Sequence, residues 1–385
     1  MTIPMLDLKR EYEYMKNDID RAIRKCLEHQ KWILGSEVEE LEKKISDYLG
    51  VKFCVGVSSG TDALVLGLRA LALKTRGKEF FESTSEIITT PFTFTATGDA
   101  ILRSGAIPVF VDIDPQTFNI DVGKVAEYLE NQGDKVVGIL PVHLYGLACN
   151  MDEIMGLAEK NKVFVFEDVA QAFGGRWKNK KLGSIGQSGA FSFFPSKNLG
   201  GFGDGGMVAT NDNEIADIVR ILLKHGGKDK YNVDYLGYNA RLDTIQASVL
   251  VAKFKYLDQF NEKRRMIANF YNENLKEIEQ IVTPEIIPNA YHVYHQYTIR
   301  VKNGKRDGLQ NYLKEKGIAT MIYYPVCLHR MKLFEGKSKV FKTLINADNI
   351  TSEVLSLPIE PLMKNEELQQ IVSEIKSYFA KNGAQ

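Results

Sequence analysis

Apolar positions at three-to-four spacing open the chain. In residues 6–29, LDLKREYEYMKNDIDRAIRKCLEH, the side chains of Leu8, Tyr12, Met15, Ile19 and Ile23 fall on one face of a helix. After Gly35, SEVEELEKKISDYL begins with the Ser/Glu signature of a helix cap, so residues 9–48 read as two amphipathic helices. From residue 53 the period changes. Strand-like runs FCVGV (53–57), EIITT (86–90), IPVFVDI (107–113), KVVGILPV (135–142) and KVFVFED (162–168) alternate with helical stretches near 61–73, 94–104, 121–131 and 151–160. GAFSFF (189–194) and GMVAT (206–210) add two strands. Continuous Val/Ile/Phe runs separated by helices predict a mainly parallel sheet covered on both faces, an α/β fold. The link from 194 to 206 holds no helix, so the 206–210 strand is expected to run antiparallel. Helices over 212–225 and 243–278 follow. The order strand (295–301), helix (306–317), strand (319–323), helix (366–381) then predicts a smaller α+β domain. The expected division is a large domain, residues 1–250, and a small domain, residues 251–385.

Composition narrows the classes. Basic and acidic residues balance at 49 each, which gives no reason to expect nucleic acid or a membrane surface as partner. The N-terminal segment lacks the apolar stretch of a signal peptide, and the longest nearly apolar run, 63–73, is interrupted by Arg69 and too short to span a bilayer. Four cysteines (26, 54, 149, 327) form no CxxC pair, which fits a reducing, cytoplasmic setting.

Three features sit where strands end, the place where open α/β sheets bind ligands. Asp168 closes VFVFED; by itself it could equally cap the next helix. Lys197 follows an aromatic strand and precedes a glycine-rich loop, an odd site for a solubilising charge. A desolvated lysine there has a lowered pKa and can form a Schiff base. Residues 58–64, SSGTDAL, join a strand to a helix N-terminus whose N–H groups suit an anion. Gly201-Phe-Gly-Asp-Gly-Gly206 matches G-x-G-x-x-G formally. It runs into a strand rather than opening a helix, so it is no dinucleotide fingerprint. The six histidines show no metal-binding spacing, and no metal is expected. An amine, a carboxylate and a phosphate cradle together suit pyridoxal phosphate, which needs all three.

The ordered motifs SSGTDAL, TTPFTFTAT, PVHLYG, VFEDVAQAFGG, FSFFPSKNLGGFGDGG, KHGG, YNARLDTIQASVL and YYPVCLH resemble the DegT/StrS family of pyridoxal-phosphate-dependent nucleotide-sugar aminotransferases. The resemblance spans the chain, from MLDLKREY and WILGSEVEELE to LSLPIEPLM. It implies a fold-type I transferase that works as a homodimer with shared sites. Lys197 would be the Schiff-base lysine, Asp168 the partner of the pyridine nitrogen, and Gln171 the neighbour of the ring oxygen. Gly60, Thr61 and Ser192 would hold the phosphate, Phe94 would stack on the ring, and Asn239 would reach the phosphate of the neighbouring subunit. Tyr323, Tyr324 and His329 fall in the stretch expected near the sugar. The implied reaction moves an amino group from an amino acid, L-glutamate in most members, through the pyridoxamine form to a nucleotide-linked keto-sugar in amino-sugar biosynthesis. The opening segment resembles members acting on 3-keto sugars, so C3 is the expected position. The alternatives are a C4 enzyme acting on a 4-keto-6-deoxy sugar and a non-catalytic, cofactor-binding regulator. A dehydratase of the family would carry histidine in place of Lys197. The chain departs from the pattern at Ser36, where proline is usual, and at Tyr323, where histidine is frequent. Residues 73–85 replace a short turn and add about ten residues.

Overall fold

The computed structural model describes residues 2–229 and 231–382. Two helices, α1 (Leu8–His29) and α2 (Ser36–Leu49), lead in. Met15, Ile19 and Cys26 are the buried apolar side chains of α1, whereas Leu8 stays exposed. Ser36 is not the cap of α2. Gly35 is, and Ser36 takes the first helical position, where proline is also favoured because that N–H has no helical partner.

The alternation then unfolds as β1 (Phe53–Val57), α3 (Gly60–Arg76), β2 (Glu86–Thr89), α4 (Thr95–Arg103), β3 (Ile107–Phe110), α5 (Val122–Gln132), β4 (Val136–Ile139), α6 (Met151–Asn161) and β5 (Phe164–Asp168). Two-residue strands β6 (Arg176–Trp177) and β7 (Lys180–Lys181) precede β8 (Ser188–Ser192), β9 (Gly206–Thr210) and α7 (Asn213–Leu222). The main sheet has eight strands in the order β1-β9-β8-β5-β4-β2-β3, with β13 (Lys339–Val340) at the far edge. β9 is antiparallel to both neighbours, and the other pairs are parallel. Alternate side chains feed two apolar layers. Phe164 and Phe166 of β5 pack with α3 and α7 on one face, and Val165 packs with α2 and α6 on the other. This double burial explains why these strands read as unbroken apolar runs.

The expected single helix over 243–278 is two, α8 (Thr244–Phe254) and α9 (Leu257–Leu275), with a tight turn in which Tyr256 N–H bonds Lys253 O at 2.9 Å. A second sheet follows, β10 (Ile281–Val282), β12 (Tyr297–Val301) and β14 (Val354–Leu357), all antiparallel. β11 (Ala290–Tyr291) pairs with β6. Helices α10 (Arg306–Glu315), α11 (Ile345–Ile350) and α12 (Asn365–Asn382) complete the chain. The expected strand at 319–323 is replaced by a single bridge, Met321 to Ser356, and β14 takes the place beside β12. The apolar cluster on this sheet draws on residues 267–379 and on Ile3, while Cys327, Leu328 and Phe334 pack into the core of the main sheet. No helix of the described residues is long and apolar enough to cross a membrane.

The added residues after α3 are packed. Gly77, in the left-handed region (φ 63°), ends the helix. Phe81 is buried and stacks on Phe164 at 5.8 Å. The fully buried Arg69 lies 3.8 Å from the Phe80 ring and reaches Glu79 Oε2 at 3.1 Å, Leu236 O at 3.0 Å and Tyr238 at 3.2 Å. The insertion therefore ties α3 to the loop that leads to Asn239.

Candidate active site

Parallel strands end at one edge of the sheet. Gly60 and Thr61 follow β1, Phe94 follows β2, Tyr145 follows β4, Asp168 ends β5 with Gln171 just beyond it, and Ser192 ends β8 with Lys197 beyond it. The register sets their levels. Asp168 is opposite Ala190, while Ser192 and Val57 both face Gly206. Parallel direction alone converts positions more than a hundred residues apart into one cleft.

Lys197 Nζ has no hydrogen bond or ion pair among the described residues. Its side chain is half-buried and walled by protein. Desolvation lowers its pKa from 10.5 to about 8, against the pull of Asp168. The Asp168 carboxylate is buried, which raises its pKa. The Ala170 N–H (3.1 Å to Oδ1), the Thr97 hydroxyl (2.9 Å to Oδ2) and the charge of Lys197 work the other way. A buried carboxylate held by neutral donors is poised to gain from a cationic partner.

The α3 N-terminus is a cradle without side chains. Ser59 caps it, accepting from Asp62 N–H at 3.0 Å, and the Gly60 and Thr61 N–H groups remain as first-turn donors. A Cβ on Gly60 would stand 2.6 Å from Ser192 Cβ and 2.9 Å from its Oγ, so only glycine leaves the gap between them open. Asp62 faces Ser58 and Ser59, with both hydroxyls on its Oδ2. The anion position is thereby confined to the Gly60–Thr61–Ser192 side. These groups fit pyridoxal phosphate: a cradle for the phosphate, an unpaired amine of lowered pKa, and a buried carboxylate.

Gln171 is fixed at both ends. Its Oε1 accepts from Tyr145 N–H and its Nε2 donates to the Tyr324 hydroxyl, each at 2.8 Å. Phe94 is 57% exposed, with its ring 6.4 Å from that of Tyr324. The cluster thus gathers Gly60, Thr61, Ser192, Asp168, Lys197, Gln171, Phe94 and Tyr324. Tyr323 is half-buried, and its carbonyl accepts from the Tyr145 hydroxyl. Asn239 is exposed, accepting from Arg241 at 2.5 Å, in a segment whose Ala240 O takes the Ser58 N–H. His329 is engaged elsewhere, its Nε2 3.1 Å from Asp348 Oδ1. Cys327, His329 and Asp348 bring donor atoms within 4.8 Å of one another, but Arg330 already neutralises Asp348 at 2.7 Å.

Sequence reasoning missed the groups that hold the cluster in place. Thr97, buried in the first turn of α4, turns its hydroxyl onto Asp168, a partner 71 residues away. His143 and Glu167 are both fully buried and 3.1 Å apart. Cys149 N–H donates to His143 Nδ1, so Nε2 carries the hydrogen and donates to Glu167. Glu167 also accepts from the N–H groups of Gly183, Ile185 and Gly186. This network pins the strand that bears Asp168. No local spacing announces it, because its members come from strand β5 and from two loops, one after β4 and one before β8.

The profile of the DegT/DnrJ/EryC1/StrS aminotransferase family matches residues 13–376. A protein of Geobacillus stearothermophilus named pleiotropic regulatory protein is 43% identical, covering 98% of this chain and 99% of its own length. The UDP-N-acetyl-3-dehydro-α-D-glucosamine 3-aminotransferase of Acidithiobacillus ferrooxidans is 39% identical over 97% of each chain. Among solved structures, DesV of S. venezuelae in complex with a ketimine intermediate superposes with a TM-score of 0.91 at 34% identity, over 98% of both chains. With the match spanning nearly its whole length, this chain belongs to the DegT/DnrJ/EryC1/StrS family of pyridoxal-phosphate-dependent aminotransferases.

Proposed function

We propose that the protein aminates the C3 keto carbon of a nucleotide-linked sugar, with L-glutamate as donor, in a homodimer with shared sites. The observation that carries this reading is the unpaired Lys197 amine of lowered pKa, set at the same sheet edge as the buried Asp168 carboxylate. A relative at 39% identity that is named for 3-amination of a UDP-linked sugar supports the position.

Bound in the cleft, pyridoxal phosphate supplies the electron sink for a carbanion next to nitrogen. The residues of the chain do the rest. The Gly60 and Thr61 N–H groups and Ser192 hold the phosphate. Asp168 keeps the pyridine nitrogen protonated by its opposite charge. Phe94 would stack on the ring, and Gln171 would lie beside the ring oxygen. Lys197 Nζ, its pKa lowered to about 8 and so half neutral at that pH, would take the proton from the donor carbon in the first half-reaction and give a proton to the sugar carbon in the second. Asn239 extends to the phosphate of the neighbouring subunit. Tyr323 lies where the sugar is expected; the His329 imidazole is committed to Asp348. Since Lys197 is fixed, the pocket decides which sugar carbon comes within reach.

The relative named as a regulatory protein favours a second reading, cofactor binding without turnover. One experiment separates them. The loaded protein is incubated with glutamate and matched 3-keto and 4-keto nucleotide sugars, and the products are read by NMR. An amino group at C3 is expected. Amination at C4 alone would move the position and leave transamination standing. No amino sugar from either substrate would favour the regulatory reading.

A further inference from the structure

Gln171 closes a small circuit of contacts. The Tyr145 N–H can only donate, so the amide atom 2.8 Å from it is Oε1. Nε2 therefore points the other way, with one hydrogen on the Tyr324 hydroxyl at 2.8 Å and a second hydrogen left over. The Tyr145 hydroxyl in turn donates to the Tyr323 carbonyl, so the circuit runs Tyr145, Gln171, Tyr324, Tyr323 and back. The Tyr324 ring has little freedom. It meets the Phe92 ring edge-on at 6.1 Å and the Phe94 ring at 6.4 Å. Its hydroxyl accepts from Gln171, and its own hydrogen has no acceptor among the described residues.

We propose that Tyr324 is a positioning residue on the cofactor side of the site: by fixing the Gln171 amide it aims the free Nε2 hydrogen at the cofactor's phenolic oxygen. The inference rests on the cofactor reading above and gives Tyr324 a role other than sugar contact. A donor at that oxygen stabilises its negative charge and so lowers the proton affinity of the nitrogen linking lysine to cofactor. The titratable groups facing this region are Asp168, Tyr323 and Tyr145 around Tyr324, with Cys327 behind Tyr145, and Asp168 and His295 around Lys197. The variants below keep all of them, so a shift reports the circuit.

The test is the pH titration of the visible absorbance band of the full chain loaded with pyridoxal phosphate. Tyr324→Phe, which fills the same space, should raise the midpoint by about half a pH unit or more. Gln171→Ala should raise it as well. The double variant should move no further than Gln171→Ala alone, because the tyrosine acts through the amide. A Tyr324→Phe midpoint equal to that of the unmodified chain would overturn the inference, all the more if KM for the keto-sugar rises instead. Additive shifts in the double variant would overturn it too. A chain that takes up no pyridoxal phosphate would sink the cofactor reading itself. A pH-sensitive band that ignores Tyr324→Phe sinks only this inference.

Discussion

The role proposed for Lys197 rests on what its surroundings withhold. Among the described residues no carboxylate forms an ion pair with it, and the surrounding protein desolvates the amine, which lowers its pKa from 10.5 to about 8. A fall of this size raises the neutral fraction near pH 7 by roughly two orders of magnitude. The group is protonated below its pKa, so cofactor-free protein should combine with pyridoxal phosphate faster as pH rises, with a midpoint near 8. Rapid-mixing absorbance across pH measures this, and a midpoint at 10 or above would show an ordinary lysine. In the proposed reaction Asp168 acts through its charge, so Asp168→Ala should lose activity by several orders of magnitude while circular dichroism stays unchanged. Thr97→Val removes one of its two donors. Hydrogen bonds to charged groups contribute about 1.5–3 kcal/mol, so turnover should fall about tenfold to a hundredfold. Near-normal turnover in either variant would remove that residue from the account. Lys197 and Asp168 were legible in the sequence because each follows an unmistakable strand. Thr97 and Tyr145 were not, since their partners lie 71 and 26 residues away and only the folded sheet edge brings them together.

At the scale of elements, α3 packs against two strands through two glycines that do different work. Gly67 faces Phe166 on β5, where an added Cβ would meet the ring at 2.3 Å. Gly67→Ala should cost about 1–3 kcal/mol of stability through overpacking, read as a lower thermal midpoint. Gly60 faces Ser192 on β8 across the cradle. Gly60→Ala should weaken cofactor binding about tenfold or more, a larger loss than Gly67→Ala causes, because it fills the phosphate position. Equal cofactor affinity in the two variants would contradict the placement of the cradle. Strands buried on both faces declared themselves by their apolar runs, and the antiparallel course of β9 followed from the helix-free link before it. β14 did not declare itself. Ser356 interrupts its apolar run and Pro358 follows at once, yet Ser356 is buried and meets Thr298 at 2.7 Å. A polar pair satisfied across two strands is invisible until the strands are paired. Two-residue strands such as β6 and β13 are likewise set by tertiary contacts rather than by local pattern.

At the scale of the molecule, the proposed dimer follows from Asn239, which is exposed in a single chain and lies on a loop braced by Arg69 and Glu79. If it serves the neighbouring site, inactive Lys197→Ala chains mixed with inactive Asn239→Ala chains should recover activity. Random pairing gives about a quarter of the unmodified activity, since half the dimers hold one intact site. No recovery on mixing, or a fully active monomer in sedimentation, would contradict sharing. The central claim is that the parallel strand ends build one lysine-centred cofactor site. It is tested most directly by reducing the loaded protein with borohydride and sequencing the labelled peptide by mass spectrometry. The account predicts a single pyridoxyl label on Lys197 in FFPSKNLGG; a label on any other lysine, or none, would contradict it.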